Sequence, residues 1–452
     1  MQRSSLSFLH KWFTSSDRKP LVIRGARQVG KTWLARQLAA TAKLQLIELN
    51  LEKQPELASL FTSNDPQQIL LNLSAAYNLT IDPAQCLLLI DEIQAAPELF
   101  SKLRWFAEDL PELAVIATGS LLDFILAEHT FSMPVGRVSY LYLEPLSFDE
   151  FLLAQDQKNL YNYLTVYDFN KTIPIALHHQ LMTLFKEYII IGGLPAAVAN
   201  WIIERSLSKV NQIHYDLLAT YREDFFKYRG RVLVNKLDEV MMAIPKMLGQ
   251  KFVCSRINPA LPTSAVKHIL DLLHKARICH PIMSCGANGV PLAADMNEKF
   301  FKEIFLDIGL VCAALGLNYD QVSTVNELTL VNNGAIAEQV AGQLLRTLNS
   351  FYIEPALYYW QRMEKNANAE VDYVIQHASQ VIPIEVKAGS TGSLKSLHML
   401  MGLKKLEMAI RVNSEIPSKM PIIVKGYAGE AINYTLLSIP FYLISQIHRL
   451  LK

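Results

Sequence analysis

The chain has 452 residues, of which 51% are hydrophobic and 19% are charged. This length predicts about two to four domains, and the composition is typical of a well-packed globular protein rather than a disordered one. The formal net charge of +1 excludes a chain-wide basic surface for nucleic acid, so any such contact would need a local patch.

The cysteines and the apolar segments indicate the cellular compartment of the protein. The five cysteines are scattered and contain no C-x-x-C pair, so the sequence supports neither a disulfide framework nor a zinc site. The chain starts without a long apolar run and a small-residue cleavage site. The apolar segment 188–203 is short for a bilayer span and contains Gly192, Gly193 and Pro195. We therefore expect a cytoplasmic protein with no membrane segment.

Residues 25–32 match the phosphate-loop pattern G-x-x-x-x-G-K-[ST] in full. They lie between a strand-like run, 21–23, and an amphipathic stretch that starts at Trp33. In such a loop the backbone N–H groups and the helix N-terminus surround the phosphates of a nucleotide. Lys31 is expected to reach the β- and γ-phosphates, and Thr32 to hold Mg²⁺. The predicted ATP-binding residues are Gly25, Ala26, Arg27, Gln28, Val29, Gly30, Lys31 and Thr32.

Strand-like and helix-like segments alternate after this loop. The alternation predicts a mostly parallel sheet covered by helices on both faces. We assign residues 1–151 to a P-loop ATPase domain with this α/β fold. Its predicted strands are 44–51, 86–90, 113–117 and 139–143, and its predicted helices include 33–40 and 99–109.

The run 87–92 consists of four apolar residues followed by Asp91 and Glu92. A buried strand of this kind delivers carboxylates to the sheet edge where the phosphates bind. Asp91 is expected to enter the Mg²⁺ shell, and Glu92 to orient or deprotonate the attacking water. The sequence therefore predicts ATP hydrolysis as well as ATP binding.

Three further residues are candidates for the catalytic machinery. Thr118 and Ser120 follow the next strand, where either could sense the γ-phosphate or cap the following helix. Arg137 precedes another strand. It is a candidate for neutralising transition-state charge on the nucleotide of a neighbouring subunit, with an ordinary surface arginine as the alternative.

Several of these motifs together resemble one family, the prokaryotic AAA-type ATPases that carry a C-terminal domain of unknown function. The resemblance extends over nearly the whole chain, and it implies a small helical lid after Phe151, which we place with a linker at 152–228. The residues that carry it are 25–32, 88–94, 117–120, Gly136 with Arg137, and 143–151.

Residues 229–320 have the order expected of a winged helix, with helical runs followed by a strand at 278–283. The third helical run, 264–275, carries Lys267 and His268 but few of the Arg, Asn and Gln side chains that read bases. A protein-interaction or structural module is therefore the alternative to a DNA-binding one.

Residues 321–452 contain a constellation that resembles the PD-(D/E)xK nuclease fold. Glu385 and Lys387 project from one face of a predicted strand, and Asp372 lies in the strand before it. The resemblance implies that Asp372 and Glu385 are metal ligands, that Lys387 positions water and that Glu338 is a helix acid. None of the three residues before Asp372 is a proline, and the near-neutral charge of this region is poorly suited to binding a polyanion.

The sequence thus predicts an α/β protein with a P-loop sheet, a helical lid, a winged helix and a small nuclease-like α/β domain. The predicted function is Mg²⁺-dependent ATP binding and hydrolysis that drives or gates movement of the C-terminal domains. An ATP-gated DNA-processing nuclease and a non-hydrolysing nucleotide switch that recruits a protein partner are the alternatives. DNA and protein are alternative partners, and the oligomeric state is open.

Overall fold

A computed structural model of the chain describes residues 1–120, 134, 136–226, 231–317, 334–364, 367–387, 393–426 and 429–452. The strands in these ranges form one sheet of five strands and one of eight. Helices pack on both sheets, so the predicted α/β class is confirmed.

The five-stranded sheet is parallel throughout and has the order β2-β3-β4-β1-β5. In β3, Leu87 and Leu89 face one apolar core, whereas Leu88 and Ile90 face another on the opposite side. Both faces are therefore buried, which explains the uninterrupted apolar runs of the sequence. The elements are α1 (Ser5–Phe13), β1 (Leu21–Arg24), α2 (Lys31–Ala42), β2 (Gln45–Asn50), α3 (Pro66–Tyr77), β3 (Cys86–Asp91), α4 (Leu99–Asp109), β4 (Ala114–Thr118) and β5 (Ser139–Tyr142).

A helical region follows the first sheet. One helix ends at Ile191 and the next begins at Pro195, so Gly192 and Gly193 lie in the break between them. Gly193 brings two backbones together. A Cβ on Gly193 would lie 2.2 Å from the carbonyl oxygen of Leu146, so no larger residue fits. No helix in the described ranges is long and apolar enough to cross a membrane. The helices are α5 (Phe148–Ala154), α6 (Lys158–Val166), α7 (Ile175–Ile191), α8 (Pro195–Glu204) and α9 (Leu207–Phe226).

The eight-stranded sheet has the order β12-β13-β11-β10-β9-β8-β6-β7. The strands β6 and β7, which come first along the chain, form an antiparallel hairpin at one end of this sheet. β6 also pairs in parallel with β8. The elements of this part are α10 (Arg231–Ala243), α11 (Thr263–Lys275), β6 (Cys279–Cys285), β7 (Met296–Phe305), α12 (Ile308–Leu315), α13 (Ala335–Leu345), β8 (Leu357–Glu364), β9 (Ala367–His377), β10 (Gln380–Val386), α14 (Lys395–Lys404), β11 (Met408–Asn413), β12 (Ser418–Lys425), β13 (Ala431–Pro440) and α15 (Ile447–Leu450).

The position of the hairpin β6–β7 bears on whether residues 229–320 form the predicted winged-helix domain. Helices α10 and α11 do precede a strand, β6, as the sequence predicts. Because this hairpin extends the C-terminal sheet, however, the strands of 229–320 and of 321–452 belong to one sheet. A separate winged-helix domain is therefore not confirmed, and the predicted boundary at 320 lies outside the described residues.

A buried ion pair fastens the two sheets to each other. Arg346, which follows α13, donates from Nε and Nη2 to the two carboxylate oxygens of Glu144, each at 2.9 Å. Glu144 follows β5, and the side chains are only 4% and 11% exposed. The backbone N–H of Tyr142 also donates to the carbonyl oxygen of Phe351 at 2.8 Å. The C-terminal sheet is thus held directly against the edge strand of the first sheet.

Replacing Arg346 by Met is expected to lower the free energy of unfolding by about 3–5 kcal/mol, because it leaves the buried Glu144 carboxylate without its partner. Urea unfolding followed by circular dichroism measures this change. Lys275→Met is the control, since its partner Asp271 lies one turn away on the surface of α11. We expect a change below about 0.5 kcal/mol there. Equal losses in both variants would contradict a special role for the buried pair.

Candidate functional site

The predicted phosphate loop connects β1 to α2 at the carboxyl edge of the parallel sheet. A Cβ on Gly25 would lie 2.5 Å from the carbonyl oxygen of Leu143, so this close approach requires glycine. Gly30 has a φ of +98° and stands directly before the first residue of α2. Its left-handed backbone aims the start of the helix towards the loop.

Lys31 is buried inside this loop. Its ammonium donates to the carbonyl oxygens of Gly25 at 3.1 Å and Ala26 at 2.8 Å. Burial lowers the pKa of Lys31 to about 8, while the Glu92 and Asp91 carboxylates act in the opposite direction. The charge is therefore held at the centre of a loop whose shape is set by glycine.

Asp91 ends β3 and collects hydrogen bonds from three neighbours. The Thr32 hydroxyl donates to Asp91 Oδ1 at 3.0 Å, Asn50 Nδ2 donates to Oδ2 at 3.2 Å, and the Thr118 hydroxyl donates as well. Burial raises the pKa of Asp91, and the hydroxyls of Thr118 and Thr32 oppose that rise. Carboxylate and hydroxyl oxygens are the ligands that Mg²⁺ prefers, so this donor set fits the ion.

Glu92 follows in a left-handed backbone conformation, with a φ of +53°. Its carboxylate accepts a hydrogen bond from the Gln94 amide and lies 3.4 Å from the Ser120 N–H. A non-glycine residue in this conformation is uncommon and is often found at functional sites. The structure thus brings Lys31, Thr32, Asp91, Glu92, Thr118 and Ser120 together at one sheet edge.

The sequence reasoning missed Asn50 and Gln94. Asn50 is the last residue of β2, which pairs directly with Asp91 at the end of β3. Strand order alone makes them neighbours. The signal available in the sequence was therefore the polar residue at the end of a predicted strand, but it becomes informative only once the strand order is known.

Comparison with known proteins agrees with this geometry. Residues 17–152 match the AAA domain family. This match supports an AAA-type domain in the N-terminal part of the chain. Residues 182–321 and 333–435 match two further families, each a domain of unknown function. No curated protein matches the chain at a significant level.

Two solved structures from archaea resemble the chain at low identity. A Walker-type ATPase of Pyrococcus abyssi has 14% identity and a TM-score of 0.44, with 70% of this chain and 95% of that one covered. A signal transduction ATPase with numerous domains and a tetratricopeptide repeat sensor, from Pyrococcus horikoshii, has 15% identity and a TM-score of 0.27. The alignment covers 77% of this chain and 46% of that one.

Arg137 lies apart from the rest of the candidate set. Leu21, at the start of β1, pairs with Ser139 at the start of β5. Arg137 is therefore at the amino edge of the five-stranded sheet, whereas the phosphate loop lies at its carboxyl edge. It binds the Glu108 carboxylate at 2.6 Å, and about half of its side chain is exposed. Within its own chain, Arg137 does not join the nucleotide site.

Helix α9 holds the phosphate loop from outside the ATPase domain. The Arg27 guanidinium pairs with the Asp224 carboxylate, and the Tyr221 hydroxyl donates to the Arg27 carbonyl oxygen at 3.0 Å. Tyr221 is buried, so its ring packs in the core.

The C-terminal constellation also assembles, but with additional members. Lys387 contacts the Glu385 carboxylate at 2.7 Å, and Asp372 Oδ2 accepts a hydrogen bond from the Val386 N–H at 2.8 Å. Glu338 approaches from α13. Burial is the main cause that raises the pKa of Glu338 to about 7 and of Glu385 to about 8.

Lys302 and Glu370 complete this cluster, and the sequence reasoning named neither. The Lys302 ammonium contacts Glu370 at 2.5 Å, Glu338 at 3.2 Å and Asp372 at 4.0 Å. A cation thus already lies beside Asp372, one of the two carboxylates that the nuclease resemblance assigns to a metal, and contacts the helix acid Glu338. The ammonium competes with a divalent ion for the oxygens of these two side chains.

Replacing Tyr221 by Phe is expected to raise the KM for ATP several-fold, up to about 10-fold, because one hydrogen bond that fixes the phosphate loop is lost. Steady-state ATPase kinetics measure this. Tyr215→Phe is the matched control: on the same helix, its hydroxyl donates to the Ala313 carbonyl oxygen at 3.1 Å. A similar rise in both variants would show that helix stability, not the loop contact, controls the KM.

Proposed function

We propose that the protein binds and hydrolyses ATP with Mg²⁺ and that nucleotide state moves the helical region and thereby gates the C-terminal part of the chain, whose sheet stays fastened to the edge of the first sheet. The observation that carries this proposal is the convergence of Lys31, Thr32, Asp91 and Glu92 at the carboxyl edge of one parallel sheet. In open parallel sheets this edge is where ligands bind.

Each residue has a distinct role in the proposed reaction. Lys31 exchanges its carbonyl partners for phosphate oxygens and balances their charge, while Thr32 and Asp91 supply oxygen ligands to the metal. Mg²⁺, when bound, neutralises charge that develops on the phosphates. Glu92 orients the attacking water, and the Gln94 and Ser120 contacts hold its carboxylate in place. Thr118 donates a hydrogen bond to Asp91, which opposes the rise that burial causes in the pKa of Asp91.

The contacts of the phosphate loop supply a route to the rest of the chain. Arg27 belongs to the loop, and its partner Asp224 belongs to α9. The ring of Pro195, at the start of α8, lies 3.6 Å from where a Cβ on Gly30 would stand. A change in phosphate occupancy alters the charge around Arg27, and we propose that α8 and α9 respond to that change.

The position of Arg137 supports a role for this residue only between subunits. It lies at the sheet edge opposite its own loop, where its side chain is half exposed and paired with Glu108. If the nucleotide site of a second copy lay against this edge, the Arg137 guanidinium of the first copy would lie near the nucleotide of the second. In that arrangement, mixing Arg137→Ala chains with chains deficient in Lys31 would restore part of the lost turnover.

Lys31→Ala is expected to lower ATP turnover by roughly 100-fold or more, because the phosphates lose their buried counter-charge. Glu92→Gln is expected to keep ATP binding and to slow hydrolysis by a similar factor, so that bound ATP accumulates. Phosphate release and retention of labelled ATP measure the two effects. Lys102→Ala, in α4, and Glu98→Gln, at the exposed residue directly before α4, are the matched controls. Unchanged turnover in both the Lys31→Ala and the Glu92→Gln variant would overturn the proposal.

DNA is expected to leave the turnover unchanged within about twofold, because the chain has a net charge of only +1 and lacks a general polyanion surface. Steady-state rates with and without double-stranded DNA at low salt test this. Strong stimulation would instead favour the DNA-processing alternative. Measurable hydrolysis by the wild-type chain alone would exclude the non-hydrolysing switch.

A further inference from the structure

Lys302 is the most deeply buried charged side chain of the C-terminal carboxylate cluster. It lies in β7 and is 0% exposed. Lysine is almost never fully buried unless opposite charges surround it. Here the surroundings are Glu338, Glu370 and Asp372, and the ring of Tyr359, whose centre lies 5.3 Å from Nζ.

The ammonium and the carboxylates come from different parts of the chain. Lys302 belongs to the region 182–321, whereas Glu338, Glu370 and Asp372 belong to the region 333–435. The hairpin β6–β7 brings the lysine in, because β6 pairs with β8 and so places β7 at the edge of the same sheet. The cation is therefore a built part of the fold rather than a flexible surface side chain.

A divalent ion held by Glu338 and Asp372 would share their oxygens with Lys302. Glu338 Oε2 lies 3.2 Å from Nζ, and Asp372 Oδ1 lies 4.0 Å from it. An ammonium and a metal ion that share these carboxylates would repel each other in a buried site. One oxygen of the cluster, Oε2 of Glu385, is buried and has no hydrogen-bond partner among the described residues. The other carboxylate oxygen of Glu385, Oε1, contacts Lys387 at 2.7 Å, so Oε2 is the oxygen that can serve as a metal ligand when the ammonium is removed.

We propose that the Lys302 ammonium is the resident cation of this carboxylate cluster and takes the position that a divalent metal ion would otherwise occupy. The cluster then joins β7 to β9 and α13, and it does not act as a metal-dependent nuclease site while β7 stays in the sheet. This inference does not depend on ATP hydrolysis, so either proposal can fail without the other.

The test is Mn²⁺ binding to the full-length chain without nucleotide, measured by electron paramagnetic resonance. Lys302→Met keeps the length and the apolar stem of the side chain but removes the charge. We expect it to gain a Mn²⁺ site at least about tenfold tighter than any cluster site of the wild type. Adding Asp372→Asn to this variant must abolish the gained site. Binding at the phosphate loop is common to all variants and cancels in the comparison.

Lys299→Met is the matched control, because Lys299 lies on the same strand with an exposed side chain and should gain no site. A folded Lys302→Met protein that gains no Asp372-dependent site would overturn the proposal. If this variant does not fold, the wild type still decides the matter. Mn²⁺ affinity that is unchanged by Asp372→Asn supports the resident cation, and affinity that falls with Asp372→Asn refutes it.

Discussion

The requirement that a buried charge meets an opposite charge governs how this chain is assembled. The pair of Glu144 and Arg346 joins the two sheets, with two 2.9 Å hydrogen bonds between side chains that are almost fully buried. Neither residue would be stable at its depth without the other. The pair therefore fixes the edge strand β5 of the five-stranded sheet relative to the end of α13.

The same requirement is met differently in the nucleotide site. Lys31 is buried, but its partners are carbonyl oxygens, and the carboxylates of Asp91 and Glu92 act only at longer range. Its pKa is accordingly lowered, whereas the ammonium of Lys302, in contact with carboxylates, has a pKa raised well above its usual range. A lysine whose charge is incompletely balanced suits a site that takes up an anion. A lysine that is fully balanced suits a structural role.

The parts of the site that are local in sequence were predictable. The loop 25–32 and the pair Asp91–Glu92 follow from short patterns at the ends of apolar strands, and the structure brings them together. Lys302 was not predictable in this way, because its partners lie 36 or more residues away and meet it only through strand order. Its one signal is a Lys-Glu pair set between Phe301 and Ile304 in an otherwise apolar strand end.

The two buried charge clusters also limit which parts of the chain can move. The hairpin β6–β7 cannot leave the C-terminal sheet without exposing Lys302 and separating it from three carboxylates. The hairpin and that sheet must therefore move as one body. The contact between Arg27 and Asp224 is different, because the arginine side chain is 27% exposed and can exchange its partner for water or phosphate at a smaller cost. Any motion that follows the nucleotide state thus begins where the phosphate loop meets α9.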